Sequence, residues 1–232
     1  MSLSKHVVVL RAAVLIVVFI VGMPLLPMLV SGRWDWPEAW AYAGLTIGGF
    51  AFSRFLAARK DSSILAERAG SVGRADAEPF DKVLLPVVAL GGMALPLVCG
   101  LDERFDWSLH YTDSIKLVAL GVFIWGLVFS SWALVVNPFF SGTVRIQTDR
   151  GHRLVTAGPY RLVRHPGYGG GLLVYFATPV LLDAAWAFIP ALVLAAALVV
   201  RTDLEDKTLR IKLPGYDEYT LQVRYRLVPW VW

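Results

Sequence analysis

Cysteine is almost missing from this chain. Cys99 is the only one, so no internal disulfide can form, and its place in an apolar run marks it as a small buried hydrophobe rather than a redox centre. Histidine is also scarce. His6, His110, His152 and His165 are scattered without the spacing of a metal-ligand set, which argues against a zinc or iron site. No strand-G-x-G-x-x-G-helix unit of the dinucleotide-binding kind is present, and there is neither an internal repeat nor a low-complexity tract. Charged residues make up only 17% of the chain.

What is abundant is apolar. Hydrophobic residues are 56% of the sequence and mean hydropathy is +0.58, well above the share of a soluble domain. An integral membrane protein is implied, most of its length consumed by crossings of about 20 residues each. Nine Trp and eight Tyr fit interfacial belts, notably Trp34, Trp36 and Trp40 at one boundary and Trp230 and Trp232 at another. The formal charge of +4 follows from how Lys and Arg are placed around the crossings, so a nucleic-acid partner is not implied.

The first apolar run, Val7 to Val30, is long enough to cross. Lys5 and Arg11 give it a basic flank like a signal peptide's, but it is too long and no A-x-A-like site follows, so a retained helix is expected. A second run spans Trp40 to Leu56, where Gly44, Gly48 and Gly49 permit close helix contact. The chain is polar from Ser53 to Lys82, with a short amphipathic surface helix expected over Ser62 to Ala69. Runs at Val83 to Cys99 and Ser114 to Val136 follow, joined by a link rich in Asp and Glu that suits the outer face. After Asn137-Pro138 the chain is basic again, and Leu172 to Leu182 and Ala184 to Val200 form a hairpin around Asp183, either one that only partly spans or one whose helices borrow Gly167 to Gly171. The expectation is an all-α polytopic protein with four full transmembrane helices plus a C-terminal helical hairpin, divided at 1–137 and 138–232. Three basic clusters, at 54–82, 145–164 and 201–226, then fall on one side with both termini, the cytoplasmic side by the positive-inside tendency.

One stretch, Gly158 to Gly171, organises the rest. Two Pro, two Tyr, two Arg and a His among five Gly predict a polar hinge that is a poor helix and a poor strand but a good ligand loop. Beyond Val200 the helical pattern continues out of the membrane. Arg201 and Glu205 share a face at a spacing of four while Asp206 swings to the side, Pro214-Gly215 breaks the helix, and Tyr216 to Tyr225 reads as a short amphipathic element.

The run Val155-Thr156-Ala157-Gly158-Pro159-Tyr160 with Arg164-His165-Pro166-Gly167-Tyr168-Gly169-Gly170 resembles the G-x-Y…R-H-P-x-Y-x-G signature of the isoprenylcysteine carboxyl methyltransferase family. Arg201 with Glu205-Asp206-Lys207-Thr208-Leu209 resembles its R-x-x-x-E-E-x-x-L segment, with Asp206 where the family usually has Glu, and Tyr216, Tyr219 and Val223 resemble its Y-x-x-Y-x-x-x-V tail. The resemblance covers roughly the C-terminal third. It implies S-adenosylmethionine as cofactor, held on the cytoplasmic side by Gly158, Tyr160, Arg164, His165, Pro166, Tyr168, Gly169, Glu205 and Tyr219. It also implies a catalytic group of Arg201, Glu205 and Asp206, with Arg201 facing a lipidic or prenylated acceptor that enters from the membrane lipid. The same resemblance admits a phospholipid N-methyltransferase, and more distantly a sterol-reductase-like enzyme using NADPH; a non-enzymatic membrane scaffold is the remaining alternative.

Overall fold

In the computed structural model residues 19–70 and 74–232 are described, so the start of the expected first helix, with Lys5, His6 and Arg11, lies outside them. The elements are α1 (Phe19–Ser31), α2 (Pro37–Lys60), α3 (Ser63–Ala69), α4 (Asp81–Phe105), α5 (Asp113–Val136), α6 (Pro166–Leu181), α7 (Phe188–Lys212) and α8 (Tyr216–Gln222). Among the described residues there is no strand. Three helices are long and apolar enough to cross a bilayer: α4, α5 and the run Ala185–Lys212 that contains α7. The 24 residues of α2 carry Glu38 at one end and Arg54, Arg59 and Lys60 at the other, which shortens their apolar middle.

The expected hinge becomes an α-helix from Pro166 onward. Gly167 and Gly169 to Gly171 all lie inside α6. Pro166 opens that helix at a position where no N–H is needed and φ is already right. The glycines are tolerated because of what they touch. A Cβ on Gly170 would stand 2.4 Å from the Ser130 hydroxyl and 2.6 Å from the Gly126 carbonyl of α5, and one on Gly126 would stand 2.7 Å from the Gly170 carbonyl. The backbones of α5 and α6 are therefore in direct contact, as small residues allow in membrane helix pairs. This is the most extensive helix pair among the described residues, ahead of α4 with α7 and α2 with α5.

The core between these helices contains Met28, Ala39, Phe123, Leu182, Ala191 and Leu194. Trp36 joins it at 3% exposure, and so leaves the belt expected of it. Trp34 and Trp40 are exposed, their rings 6.0 Å apart, and Trp230 is exposed as well.

Antiparallel connections give the bundle two chemically different ends. At one, Lys116 pairs with Glu38 at 2.6 Å and with Asp183 at 3.2 Å, Asp183 accepts the Tyr111 N–H at 2.7 Å, and the buried Asp102 carboxylate accepts from Ser108 at 2.7 Å and from the Trp186 N–H at 3.1 Å. At the other lie α3, α8, the 137–165 connection and the C-terminal residues. Chain segments distant in sequence meet at both ends.

The α5–α6 contact can be tested directly. Gly170→Val should push the two backbones apart and cost about 1–3 kcal/mol, the usual range for overpacking, seen as a lower thermal midpoint in detergent. Gly44→Ala, where a Cβ has nothing within 4 Å, should leave the midpoint unchanged.

Candidate functional site

The connection from Asn137 to His165 is not a free loop, because each polar turn of it is tied down. Asn137 accepts the Phe139 N–H at 2.9 Å and donates to the Tyr160 hydroxyl at 3.0 Å. Gln147, buried, donates to the Phe139 carbonyl at 2.6 Å. Arg145 is 1% exposed and forks onto Glu67 of α3 at 3.0 and 2.7 Å, reaching Asp76 at 2.9 Å and Asp149 at 2.8 Å as well. Ser141 donates to the same Glu67 at 2.9 Å. Arg145, outweighing burial and helped by Ser141, holds the Glu67 carboxyl below its ordinary pKa, so this charge-assisted clamp is intact near neutrality.

Against that clamp lies a cleft of about 50 Å³ lined by Phe140, Ser141, Tyr160, Arg164, His165, Gly167 and Tyr168. The His165 and Tyr168 rings are parallel to within 1°, centroids 6.0 Å apart. Tyr168 donates its hydroxyl to Glu205 of α7 at 2.7 Å, which brings a half-exposed carboxylate to the edge of the ring pair. Gly158 holds a left-handed φ of +60° at the head of its 3-10 turn, and a Cβ there would stand 3.0 Å from the Trp132 indole Nε1; the tight turn delivers Tyr160 to the cleft.

Two buried ion pairs fix the walls. Asp206, fully buried, accepts from both arms of Arg164 at 2.7 and 2.9 Å, from Tyr216 at 2.9 Å and from Arg226 at 3.1 Å, with the His165 Nε2 at 3.3 Å. Burial first, then the Asp206 charge, pushes the Tyr216 hydroxyl far up, so it remains a donor. Arg164 spends its remaining donors on the Val223 and Arg224 carbonyls at 2.8 Å each, and the Arg164 and His165 N–H groups donate to Tyr225 and Arg226 at 2.9 Å. In the second pair Arg201 of α7 forks onto Asp81 at 2.6 and 3.1 Å and donates to the Gly142 carbonyl at 2.8 Å. Asp81 also accepts the Val144 N–H at 2.7 Å. Arg201 stacks on the Tyr168 ring at 5.3 Å.

Of the residues predicted from sequence, Tyr160, Arg164, His165 and Tyr168 meet at the cleft, and Glu205 joins them through Tyr168. Gly158, Pro166 and Gly169 shape the backbone around it; Gly169 faces the Leu227 carbonyl. Tyr219 donates to the Tyr160 carbonyl at 2.6 Å and so supports the cleft from behind. Asp206 has its oxygens filled by neighbours, and Arg201 points its fork at Asp81 rather than into open space. Sequence reasoning did not single out Asp81, Glu67, Asn137, Phe140 or Arg145. Their only signals were an Asn-Pro step and charges inside segments that read as solvated.

A family model described as isoprenylcysteine carboxyl methyltransferase (ICMT) matches residues 101–211, which include the cleft residues, Arg201, Glu205 and Asp206. Two curated relatives, probable protein-S-isoprenylcysteine O-methyltransferases of Oryza sativa subsp. indica and subsp. japonica, are each 39% identical over 69 residues, 29% of this chain. That match spans 36% of either relative, about a third of its length. Among solved structures, the eukaryotic intramembrane Ras methyltransferase ICMT superposes with a TM-score of 0.52 at 17% identity, over 100% of this chain and 87% of its own. The likeness is one of fold. The resemblance read from the motifs is met by a family model over part of the chain and by named relatives over a shorter stretch; the solved structure adds a likeness of fold alone.

His152 gives the clamp a pH limit. Burial first, then Arg145 and Arg150, pushes its pKa down to about 4, and its Nδ1 faces the Gln147 N–H at 3.3 Å as an acceptor. The unfolded chain therefore binds the proton first, at an ordinary pKa of about 6.5. Its contribution is full above that value and is lost as pH falls toward 4. Thermal midpoints measured from pH 7 down to pH 4 should decline, and the decline should be shallower in His152→Gln.

Proposed function

We propose that this chain is an integral membrane methyltransferase that moves a methyl group from S-adenosylmethionine to the carboxylate of a prenylated cysteine. The observation that carries the reading is the Tyr168–Glu205 hydrogen bond of 2.7 Å, which joins the R-H-P stretch to the R-x-x-x-E segment at one cleft. Two motifs resembling one family, far apart in sequence, meet there. The family match over residues 101–211 and the names of the relatives support it.

The residues suit the donor. Phe140, Tyr160, His165 and Tyr168 bring ring faces, and Glu205 a carboxylate, to one small space, and both kinds of group attract a compact cation. S-adenosylmethionine, when bound, supplies an activated methyl on a positively charged sulfur. Glu205, kept in place by Tyr168, offsets that charge. Arg164, Asp206 and Tyr216 hold the loop against the C-terminal residues and so fix where the rings stand. Asp81 and Gly142 immobilise Arg201, which in turn presents its plane to Tyr168. Displacement at a methyl carbon needs alignment and exclusion of water rather than a metal, and a carboxylate acceptor brings no proton to remove. A cleft of about 50 Å³ admits the sulfonium end; the nucleoside requires it to widen.

In the same reading α1, α2, α4 and α5 are the four full crossings, α6 and α7 the hairpin, and the cleft faces the cytoplasm. The supporting observation is charge. Arg54, Arg59, Lys60, Arg145, Arg150, Arg153, Arg161 and Arg164 all belong to the end of the bundle that carries α3 and α8, as expected of a cytoplasmic face. A lipidic acceptor reaches that end from the bilayer while the donor arrives from water.

The test is calorimetry on detergent-solubilised protein with S-adenosylmethionine, S-adenosylhomocysteine and NADPH, followed by radiolabelled methyl transfer to N-acetyl-S-farnesylcysteine and to phosphatidylethanolamine. The two sulfur compounds should bind, and Glu205→Ala should weaken S-adenosylmethionine about tenfold or more, as loss of a charged partner does, and S-adenosylhomocysteine, whose sulfur is neutral, less. Label should enter the farnesylcysteine as a base-labile ester. Binding of NADPH alone would overturn the reading, and label in phosphatidylethanolamine alone would replace the acceptor.

A further inference from the structure

Away from the cleft, the polar end of the bundle holds a second and much larger cavity. It measures about 540 Å³, and Asp61, Ser63, Pro138, Phe139, Arg150 and Arg153 are among its walls. It shares no residue with the cleft, and the reading above makes no use of it.

Arg150 is fixed in that cavity in advance. A guanidinium has five N–H donors; here one reaches the Gln147 amide oxygen at 2.5 Å, one the Ser63 hydroxyl at 2.6 Å and one Asp61 at a long 3.5 Å. Two donors remain. Gln147 is itself buried and tied to the Phe139 carbonyl at 2.6 Å, which gives the guanidinium a rigid mount. Arg153 is exposed and makes no hydrogen bond, ion pair or ring contact among the described residues. Asp61 is the only acid among the described walls, and its Oδ1 already accepts the Ser63 N–H at 2.9 Å and the Ser63 hydroxyl at 2.6 Å. Two cations therefore face one partly engaged anion. The two residues before Asp61, Arg59 and Lys60, are exposed and have no carboxylate partner among the described residues, so they add to the excess.

The place of the cavity says what the excess charge is for. α5, long and apolar enough to cross a bilayer, ends at Val136, so Pro138 and Phe139 stand just beyond the apolar region, at the depth where lipid headgroups lie. The walls set that apolar pair beside two planar guanidinium forks, which match phosphate oxygens two at a time. The volume is far more than a bare ion fills. We propose that this cavity binds the phosphate headgroup of an anionic phospholipid, held between Arg150 and Arg153 beside the Ser63 hydroxyl. A soluble phosphate ester has the same chemistry, but a site opening at the end of a crossing helix meets the lipid first. The site recognises the membrane rather than the methyl acceptor, so it stands apart from the functional reading.

The experiment follows the thermal midpoint of the full chain in a neutral detergent while phosphatidylglycerol, phosphatidylcholine or glycerol phosphate is titrated in, because a ligand of the folded state raises that midpoint. Phosphatidylglycerol should raise it by about 2–4 °C, and the other two by less than about 1 °C. Arg153→Gln removes a side chain without contacts, so the lipid-free midpoint should stay the same while the apparent affinity for phosphatidylglycerol falls about tenfold or more. Asp61→Asn keeps an oxygen for the Ser63 N–H and removes the competing charge; it should tighten the lipid about two- to fivefold. Arg224→Gln, an exposed cation of the same end outside the cavity, should leave lipid affinity unchanged. A rise that phosphatidylcholine matches overturns the proposal, and so does a loss in Arg224→Gln as large as that in Arg153→Gln, since either marks an unspecific response to lipid or charge. A rise with glycerol phosphate equal to that with phosphatidylglycerol gives the cavity to a soluble phosphate ester and overturns the lipid. None of these measurements requires methyl transfer, so they succeed or fail separately from the functional reading.

Discussion

Everything at the polar end of the bundle depends on one buried carboxylate. Asp206 accepts from Arg164, Tyr216 and Arg226, and Arg210 stands 3.5 Å from it. A carboxylate at 0% side-chain exposure carries a desolvation cost that only a full set of donors offsets. Here the set is full, and its members come from four parts of the chain: the loop before α6, α7 itself, α8 and the C-terminal residues. Removing the charge would leave the buried Arg164 guanidinium without a counter-ion, which is far more disruptive than deleting a surface pair. The residue the sequence presents as a catalytic acid is in this structure the tie between those four parts.

Asp81 plays the corresponding part on the other wall. It joins the first turn of α4 to α7 through Arg201 and to the Asn137–His165 connection through the Val144 N–H. Its partner Arg201 carries a plane of charge against Tyr168. The two pairs stand on either side of the rings, so ring geometry is set by charges that are themselves saturated. Preorganisation of this kind leaves the reactive contacts little to reorganise.

The helical class was legible because apolar runs of bilayer length have few other readings, and the cleft residues were legible because Gly, Pro, His and Tyr crowd one stretch. The sequence leaves the α6 start open between Leu172 and Gly167 for a physical reason: glycine's intrinsic cost in a helix is outweighed when its missing side chain permits backbone contact, as Gly170 shows against Gly126. Trp36 was misplaced because an indole serves a core as well as an interface. Asp81, Glu67 and Arg145 were invisible because their meaning is pairwise over 60 or more positions, as the separations of 120 for Asp81 and Arg201 and of 78 for Glu67 and Arg145 show. No local pattern announces such a partner.

The backbone contact between α5 and α6 also decides where the molecule is able to yield. Two helices touching main chain to main chain cannot part without losing the whole seam, and the loop ahead of α6 is laced to the C-terminal residues by main-chain hydrogen bonds. The opposite wall, α3 with the Phe140 segment, is joined by side chains: Glu67 with Ser141 and Arg145, Ser63 with Arg150, and Ile64 against Phe140. Of the two walls, that one has the fewer main-chain ties. The rigid seam is the hinge plate and the ion-paired flap the door, latched by side chains of which one, Ser141, itself lines the cleft.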